Sequence, residues 1–130
     1  GVKYKMHQVA IRPGRPFFFG AKGSKRVFGL PGNPVSTFVT FEVFVRPFLG
    51  KMCGLDLARP RTQVRLKHPA PRRSDREQYL PAVLRPDGAE PLPWKGSADL
   101  FTVANADALI VVPADAQPKE GDLLEVMKLT

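Results

Sequence analysis

The sequence is poor in the residues that build disulfides, metal sites and membrane spans. Its 130 residues include one cysteine, Cys53, so no disulfide can form within the chain, and this favours a cytoplasmic setting. Two histidines, His7 and His68, are too few and too isolated for a zinc-type site. The longest apolar stretch is interrupted by Glu42 and Arg46, which predicts that no segment crosses a membrane. We expect Cys53 to be a buried or half-buried packing thiol.

Acidic residues are scarce in the first part of the chain. Residues 1–84 contain 16 Lys and Arg against 4 Asp and Glu, whereas residues 85–130 contain 4 against 8, and the formal net charge is +8. A basic segment indicates an anionic partner, which could be nucleic acid, a phosphorylated small molecule or an acidic protein surface. No Asp or Glu cluster could hold a hard cation such as Mg²⁺, so we expect no metal ligands in this chain.

The first part of the chain has an α/β pattern. Strands are predicted at residues 7–11, 17–20 and 26–30, with turns at 12–16 and 21–25. A helix is predicted from Pro34 to Leu49, with Asn33 as its N-cap and Pro47 ending or kinking it. Because apolar residues cover most sides of this helix, we expect it to be buried against a sheet or a partner chain.

The pattern changes period across residues 55–61, which we interpret as a hinge. Beyond it, strands are predicted at residues 62–68, 77–85, 108–113 and 122–129, with a helical turn within 96–107 capped near Ser97. Short strands in this number favour a small β-barrel or sandwich. The sequence also opens without an initiator methionine or a signal-peptide pattern, and we expect it to be part of a longer protein.

The segment "GLPGNPVS", residues 29–36, joins a strand to the predicted helix. A loop in this position commonly binds anions, because the first N–H groups of a helix are unpaired and the helix dipole favours negative charge. Pro34 lacks an N–H, so the candidate donors are the N–H groups of residues 35–37, while Gly32 permits close approach to the backbone. Arg12 and Arg15, on the preceding turn, suit phosphate and other oxyanions.

Two motifs in this part of the chain resemble the MoeA family, the molybdopterin molybdenumtransferases, which include the C-terminal part of gephyrin. They are "VAIRPGRPFFFG" and "VFGLPGNPVSTFVTFEVFVRPFL", in the family's order and spacing. The later stretches "DREQYLPAVL" and "GSADLFTVANADALIVVP" resemble the last domain of the family more loosely. The resemblance covers essentially the whole chain. It implies an α/β fold, in which residues 1–54 end a MogA-like three-layer domain and residues 62–130 form a small C-terminal β-barrel.

The resemblance also implies a function, which is insertion of molybdate into adenylylated molybdopterin with Mg²⁺ and release of AMP. The implied catalytic pair is Arg12 and Arg15. The implied substrate-binding residues are Gly32, Asn33, Pro34 and Ser36 of the loop, Arg76 of the barrel and Ser97 of a G-S motif. The implied partners are a second copy of the chain, with Arg76 entering the cleft from that copy, and a MogA-type adenylyltransferase.

The chain departs from the family pattern at several points. Gln8 stands where the family commonly has lysine, and Pro81 replaces a frequent arginine. The family's T-G-D-E-L and G-G-V-S-x-G-x-x-D stretches, which carry acidic residues for metal and molybdate, are missing. The Mg²⁺ ligands are therefore expected outside this chain, and the chain alone is expected to be inactive.

Two other functions remain open from the residues alone. One is binding of nucleic acid or another polyanion by a basic stripe on the barrel, formed by Arg59, Arg61, Arg65, Lys67, Arg72, Arg73 and Arg76. Aromatic residues do not interleave with this stripe, as single-strand binding would require, so nucleic acid is the weaker hypothesis. The other is a protein-interaction module, since gephyrin uses its last domain to bind receptor tails.

Overall fold

Two β-sheets enclose one long helix. The computed structural model describes residues 1–70 and 73–130. The strands are β1 (Lys3–His7), β2 (Ile11–Arg12), β3 (Phe18–Lys22), β4 (Lys25–Gly29), β5 (Arg61–Arg65), β6 (Glu77–Arg85), β7 (Gly88–Pro91), β8 (Ala108–Val112) and β9 (Leu123–Lys128). The helices are α1 (Pro34–Thr40), a π-helical turn (Phe41–Val45), α2 (Arg46–Met52) and α3 (Leu100–Ala104). The fold is mixed α/β, as the sequence predicts.

The first sheet has the order β1-β3-β4 and is antiparallel. The strands predicted at residues 17–20 and 26–30 are confirmed, with a hairpin turn between Lys22 and Lys25. The single strand predicted at residues 7–11 is wrong. Gln8 has a left-handed φ of 65°, which breaks extended structure, so the chain leaves β1 there and enters the second sheet as β2.

The predicted helix is confirmed, but Pro47 does not end it. The helix continues through α2 to Met52, and Arg46 N–H donates to the carbonyl of Phe41, five residues earlier. The wider π-helical turn places Pro47 in the first turn of α2, where proline is tolerated. Asn33 occupies the N-cap position, but its side chain makes no capping hydrogen bond.

The helix is buried between the two sheets, as its apolar circumference predicts. On one side, Val35 and Val39 are fully buried and belong to a core cluster with residues of β6, β8 and β9. On the other side, Phe44 stacks on Phe17 at a centroid distance of 4.7 Å, and Phe48 packs edge-on against Phe28 at 5.1 Å. Each fully buried apolar side chain stabilises the fold by about 1.5–3 kcal/mol.

The second sheet has the order β2-β6-β8-β9-β5, with β7 paired to the other part of β6. Alternating residues of β8 face opposite sides: Leu109 and Val111 face the helix, whereas Ile110 and Val112 belong to the inner core of the sheet. The sheet curls until Leu66, just past β5, forms one isolated parallel bridge with Ala89 of β7. Continuous strand pairing does not close the sheet, but this bridge joins the ends of β5 and β7, which is compatible with the small β-barrel that the sequence predicts.

The four strands predicted in this part are confirmed, with β6 matching residues 77–85. The strand β7 was not predicted, because it is short and contains only Gly, Ala, Glu and Pro. The predicted cap of α3 at Ser97 is wrong, because the side chain of Asp99 accepts the N–H of Thr102.

The segment predicted as a hinge is held against α2. Leu55 N–H donates to the carbonyl of Gly50 at 2.8 Å, and Arg46 Nε donates to the carbonyl of Leu57 at 2.7 Å. Arg59 forms an ion pair with Glu42. The division into domains at residues 1–54 and 62–130 stays a prediction.

The end of α2 and the length of the helices bear on two further predictions. Cys53 is exposed, so the expectation of a packing thiol is wrong, because the chain turns away from the core at the end of α2. Within the described ranges, no helix is long and apolar enough to cross a membrane.

Candidate functional site

A cleft of about 780 Å³ lies between the second sheet, the turn after β2 and the start of the helix. Four chain segments line it: the turn at 12–16, the start of α1, the beginning of β6 with residues 68–69 before it, and the segment 91–97. Five residues proposed from the sequence are in its lining: Arg12, Arg15, Ser36, Arg76 and Ser97. We call this the cationic cleft.

The turn at residues 12–16 is fixed by its neighbours. Arg12 of β2 pairs in parallel with Gln78 of β6, so the turn begins at the edge of the second sheet. Gly14 has a φ of 123°, and a Cβ there would lie 2.5 Å from Thr40 Cγ2, so only glycine fits. The side chains of Arg12 and Arg15 are exposed and make no hydrogen bond or ion pair with the described residues.

Arg76 completes the group of arginines from within the same chain. Its Nη1 donates to the carbonyl of Ile11 at 3.2 Å, and its Nε lies 3.6 Å from an Asp75 oxygen. The expectation that Arg76 enters the cleft from a partner subunit is therefore not needed to place it there. The hydrogen bond to Ile11 anchors Arg76 beside the strand that carries Arg12.

Sequence reasoning missed two other basic residues of the cleft, Lys95 and His68. Lys95 directly precedes the G-S motif, and this position is the only sequence feature that could have indicated a role in the site. No sequence feature indicates a role for His68, because its place in the cleft depends on how the chain folds after β5.

The charge of the cleft has one sign. Among its described lining residues there are three arginines, one lysine and one histidine, and no Asp or Glu. Most members of the basic stripe, in contrast, have acidic partners: Arg59 with Glu42, Arg61 with Glu125, Lys67 with Asp87 and Arg73 with Asp115. Arg72 lies outside the described residues. Arg76 belongs to both groups and lies near Asp75, whereas Arg12, Arg15 and Lys95 of the cleft have no acidic partner among the described residues.

The loop at residues 29–36 is used differently from our expectation. Of the three candidate N–H donors, Val35 donates to the carbonyl of Ser97 at 3.1 Å and Thr37 donates to the carbonyl of Asn33 at 2.9 Å. Those two donors are occupied within the fold, which leaves the N–H of Ser36 as the remaining candidate. Gly32 and Pro34 are exposed and are not in the cleft lining.

The same loop fixes the G-S motif. Asn33 Nδ2 donates to Ser97 Oγ at 2.9 Å, so two hydrogen bonds join Ser97 to the start of the helix. Ser36 is 5% exposed and lines the cleft, and its hydroxyl makes no hydrogen bond with the described residues. A polar group in this position is available to a ligand oxygen.

Asp99 holds the segment that follows Ser97. Its carboxylate accepts hydrogen bonds from the hydroxyl of Thr102 at 2.6 Å, from Thr102 N–H and from Lys95 N–H. These bonds, led by the one from the Thr102 hydroxyl, hold the pKa of Asp99 below its usual value. Asp99 therefore stays ionised and fixes the backbone on both sides of Ser97.

The residues present do not fit a Mg²⁺ site. Within residues 1–70 and 73–130, no group of three or more His, Cys, Asp or Glu side chains could hold a metal ion. The lining of the cleft is cationic, whereas Mg²⁺ requires oxygen ligands, usually carboxylates. That the ligands lie outside this chain stays a prediction.

The models of two protein families together match almost the whole chain. The model of the MoeA C-terminal region (domain IV) matches residues 63–129, and that of a probable molybdopterin-binding domain matches residues 1–51. Molybdopterin molybdenumtransferase 2 of Mycobacterium tuberculosis is 33% identical over 127 residues, covering 95% of this chain and 31% of that protein. Molybdopterin molybdenumtransferase 1 of the same species is 36% identical over 132 residues, covering 92% and 31%.

Solved structures give the same result. The crystal structure of the molybdopterin biosynthesis moeA protein from Pyrococcus horikoshii OT3 superposes with a TM-score of 0.84 at 28% identity, covering 98% of this chain and 32% of that one. The chain spans about a third or less of the length of the curated relatives it matches.

Proposed function

This chain belongs to the MoeA family, and on that premise we propose that its cationic cleft binds the anionic groups of adenylylated molybdopterin and molybdate during insertion of molybdenum. The observation that carries the proposal is the charge of the cleft. Arg12 and Arg15 line it without an ion-pair partner among the described residues, and no described Asp or Glu is part of the lining. The substrates proposed here carry phosphate and oxyanion groups, which suit guanidinium donors.

Each polar side chain then has a role in binding. Arg12 and Arg15 contact the phosphate or the oxyanion directly from the turn after β2. Arg76 contributes a third positive charge and is oriented by its hydrogen bond to Ile11. The Ser36 hydroxyl donates to a ligand oxygen, and Ser97 is positioned by Asn33. Gly32 and Pro34 shape the loop without touching the ligand.

The chemistry of metal insertion needs more than this chain supplies. We propose that Mg²⁺ participates in the full-length protein and is held by carboxylates outside residues 1–130, because the described residues offer no set of ligands for it. We also propose that the full protein acts as a homodimer in the cytoplasm and receives its adenylylated substrate from a MogA-type enzyme. The single cysteine supports a reducing setting.

The basic stripe supports a polyanion-binding function less well. Among the described residues, five of its members form ion pairs, and Arg65 donates to the carbonyl of Gly121. A polyanion would have to displace these acids, which weakens any net gain. Random-sequence DNA should therefore bind weakly, whereas tight binding with a steep salt dependence would support the stripe.

Binding by charge-removing variants tests the cleft. Arg12→Ala and Arg15→Ala each remove one unpaired guanidinium, and Arg26→Ala is the matched control, since Arg26 is exposed on β4 and bonds only to nearby backbone carbonyls. A charge-assisted hydrogen bond at an exposed site contributes about 1–2 kcal/mol, so each cleft variant should bind AMP and molybdate about 5- to 30-fold more weakly in calorimetry. Equal affinities in all three variants would refute the site.

An insertion assay tests the wider proposal. We expect no molybdate insertion by residues 1–130 and activity from a longer version that includes the upstream acidic motifs. Activity from the short chain alone would overturn the role assigned to carboxylates outside it.

A further inference from the structure

Trp94 is an aromatic side chain in the wall of the cationic cleft that the binding roles above leave unused. It is the only tryptophan of the chain, and it lies on the segment between β7 and α3, next to Lys95. Its ring is partly buried and packs against both core clusters. The core therefore supports the indole from behind, and the remaining part of its surface lines the cleft.

The indole N–H of Trp94 also lacks an acceptor. Among the described residues, Nε1 is the one buried side-chain polar atom without a hydrogen-bond partner. Buried Trp N–H groups usually have such a partner, and a donor without one destabilises the packing around it. An acceptor on a bound molecule would remove this cost if the segment 91–97 adjusted slightly around the ligand.

Most other aromatic rings are used in packing. The phenylalanines at 17, 19, 28, 44 and 48 form ring contacts with one another between the helix and the first sheet. Phe101 is 82% exposed but does not line the cleft. Trp94 is therefore the large aromatic surface that the described part of the chain presents beside its unpaired cations.

We propose that Trp94 positions the substrate by stacking on a planar nitrogen heterocycle whose phosphate is held by Arg12 and Arg15. This inference rests on the proposed function, because the cleft must first bind a phosphorylated ligand. The proposed substrate contains two such ring systems, a pterin and an adenine, and stacking on an indole tolerates either. The arginines then supply charge recognition, whereas Trp94 distinguishes a ring-bearing phosphate from a simple one.

Ligands that separate the ring from the phosphate test this role. The probes are AMP, which has both, ribose 5-phosphate, which lacks the base, and pterin-6-carboxylate, which carries the other ring with an anionic group. The variants are Trp94→Leu, Trp94→Phe and, as the aromatic control outside the cleft, Phe101→Leu. Affinities are measured by calorimetry on the 130-residue chain, and the emission of the single tryptophan reports on contact with AMP.

We expect AMP to bind more tightly than ribose 5-phosphate and to quench the emission of Trp94. Trp94→Leu should weaken AMP binding about tenfold or more, Trp94→Phe should stay within about threefold of the original chain, and Phe101→Leu should bind normally. Affinity for ribose 5-phosphate should be the same in all four proteins. If pterin-6-carboxylate, but not AMP, shows the loss in Trp94→Leu, the ring bound at Trp94 is the pterin.

Other outcomes overturn the inference in distinguishable ways. Equal affinity for AMP, pterin-6-carboxylate and ribose 5-phosphate, with no effect of Trp94→Leu, would refute the stacking role and leave the cationic cleft standing. Loss of ribose 5-phosphate binding in Trp94→Leu would show that Trp94 only supports the fold. If Arg15→Ala binds every probe as the original chain does, the proposed function itself fails.

Discussion

Replacement of Glu42 by alanine should destabilise the protein more than loss of any exposed ion pair. Glu42 is 5% exposed, and its carboxylate accepts hydrogen bonds from Arg59 Nε at 2.7 Å and Arg59 Nη2 at 3.2 Å. Arg46 Nε lies 3.7 Å from the same carboxylate. Glu42 therefore joins the buried helix to the segment that leads into β5.

The size of the effect follows from burial. Removing one partner of a fully buried pair costs about 3–5 kcal/mol, because the remaining charge has no compensation. Here the side chains of Arg59 and Arg46 are 22% and 33% exposed, so water can solvate part of each guanidinium after the change. We expect Glu42→Ala to lower the free energy of unfolding by about 2–3 kcal/mol. For a chain of this size, that lowers Tm by roughly 6–15 °C.

The exposed ion pair between Glu125 and Arg61 is a control for the effect of burial. Glu125 pairs with Arg61 at the same distance of 2.7 Å, but both side chains are more than a third exposed. Glu125→Ala should cost no more than about 1 kcal/mol, because solvent screens an exposed pair.

Urea unfolding of Glu42→Ala, Arg59→Ala and the double variant measures the coupling directly. A double-mutant cycle should give an interaction of about 1–2 kcal/mol between the two residues. If Glu42→Ala costs less than about 0.5 kcal/mol, or if the two single effects simply add, the buried carboxylate does not hold this segment and the reasoning is wrong.

Three further predictions follow from single contacts. Gly50→Ala should lower the free energy of unfolding by about 1–3 kcal/mol in urea, because a Cβ would lie 2.7 Å from the Leu55 carbonyl oxygen. Alanine has the higher helix propensity, so a stabilised variant would contradict this reasoning. Burial and a hydrogen bond to Glu77 raise the pKa of Tyr79 from 10.0 to about 12. The folded state therefore keeps the Tyr79 proton after the unfolded chain has lost it. Between pH 10 and 12, stability should fall by up to about 2–3 kcal/mol more than in Tyr79→Phe, whereas below pH 10 the difference between the two proteins should not change with pH. Asn33→Ala removes the hydrogen bond to Ser97 and should speed amide hydrogen exchange at residues 95–98 about three- to tenfold. Unchanged exchange would show that this hydrogen bond does not hold the segment.

Local signals explain what could be predicted about the site. The P-G pair in "RPGRP" predicted the turn that carries Arg12 and Arg15, and the apolar run after Pro34 predicted the buried helix that carries Ser36. These features depend on backbone restrictions and on the period of apolar residues, both of which are readable within a few positions. The use of the loop N–H groups was not readable, because the acceptor for Val35 is the carbonyl of Ser97, 62 residues away in sequence.

The residue pattern alone predicted the α/β order of elements, the apolar strand that becomes β8, and the resemblance to the family to which the chain belongs. The placement of Lys95, His68 and Trp94 in one cleft with Arg12 and Arg15 depends on the tertiary structure, which also brings Arg76 into this cleft from within the same chain. The contacts of Glu42 and Gly50 that hold the segment after α2 also depend on the tertiary structure, whereas the change of hydrophobic period indicated a hinge there. The cleft and the segment after α2 could not be predicted for the same physical reason. Propensity and hydrophobic period act over neighbouring residues, whereas ion pairs, close approaches and cleft linings join residues that only the packing of two sheets on one helix brings together.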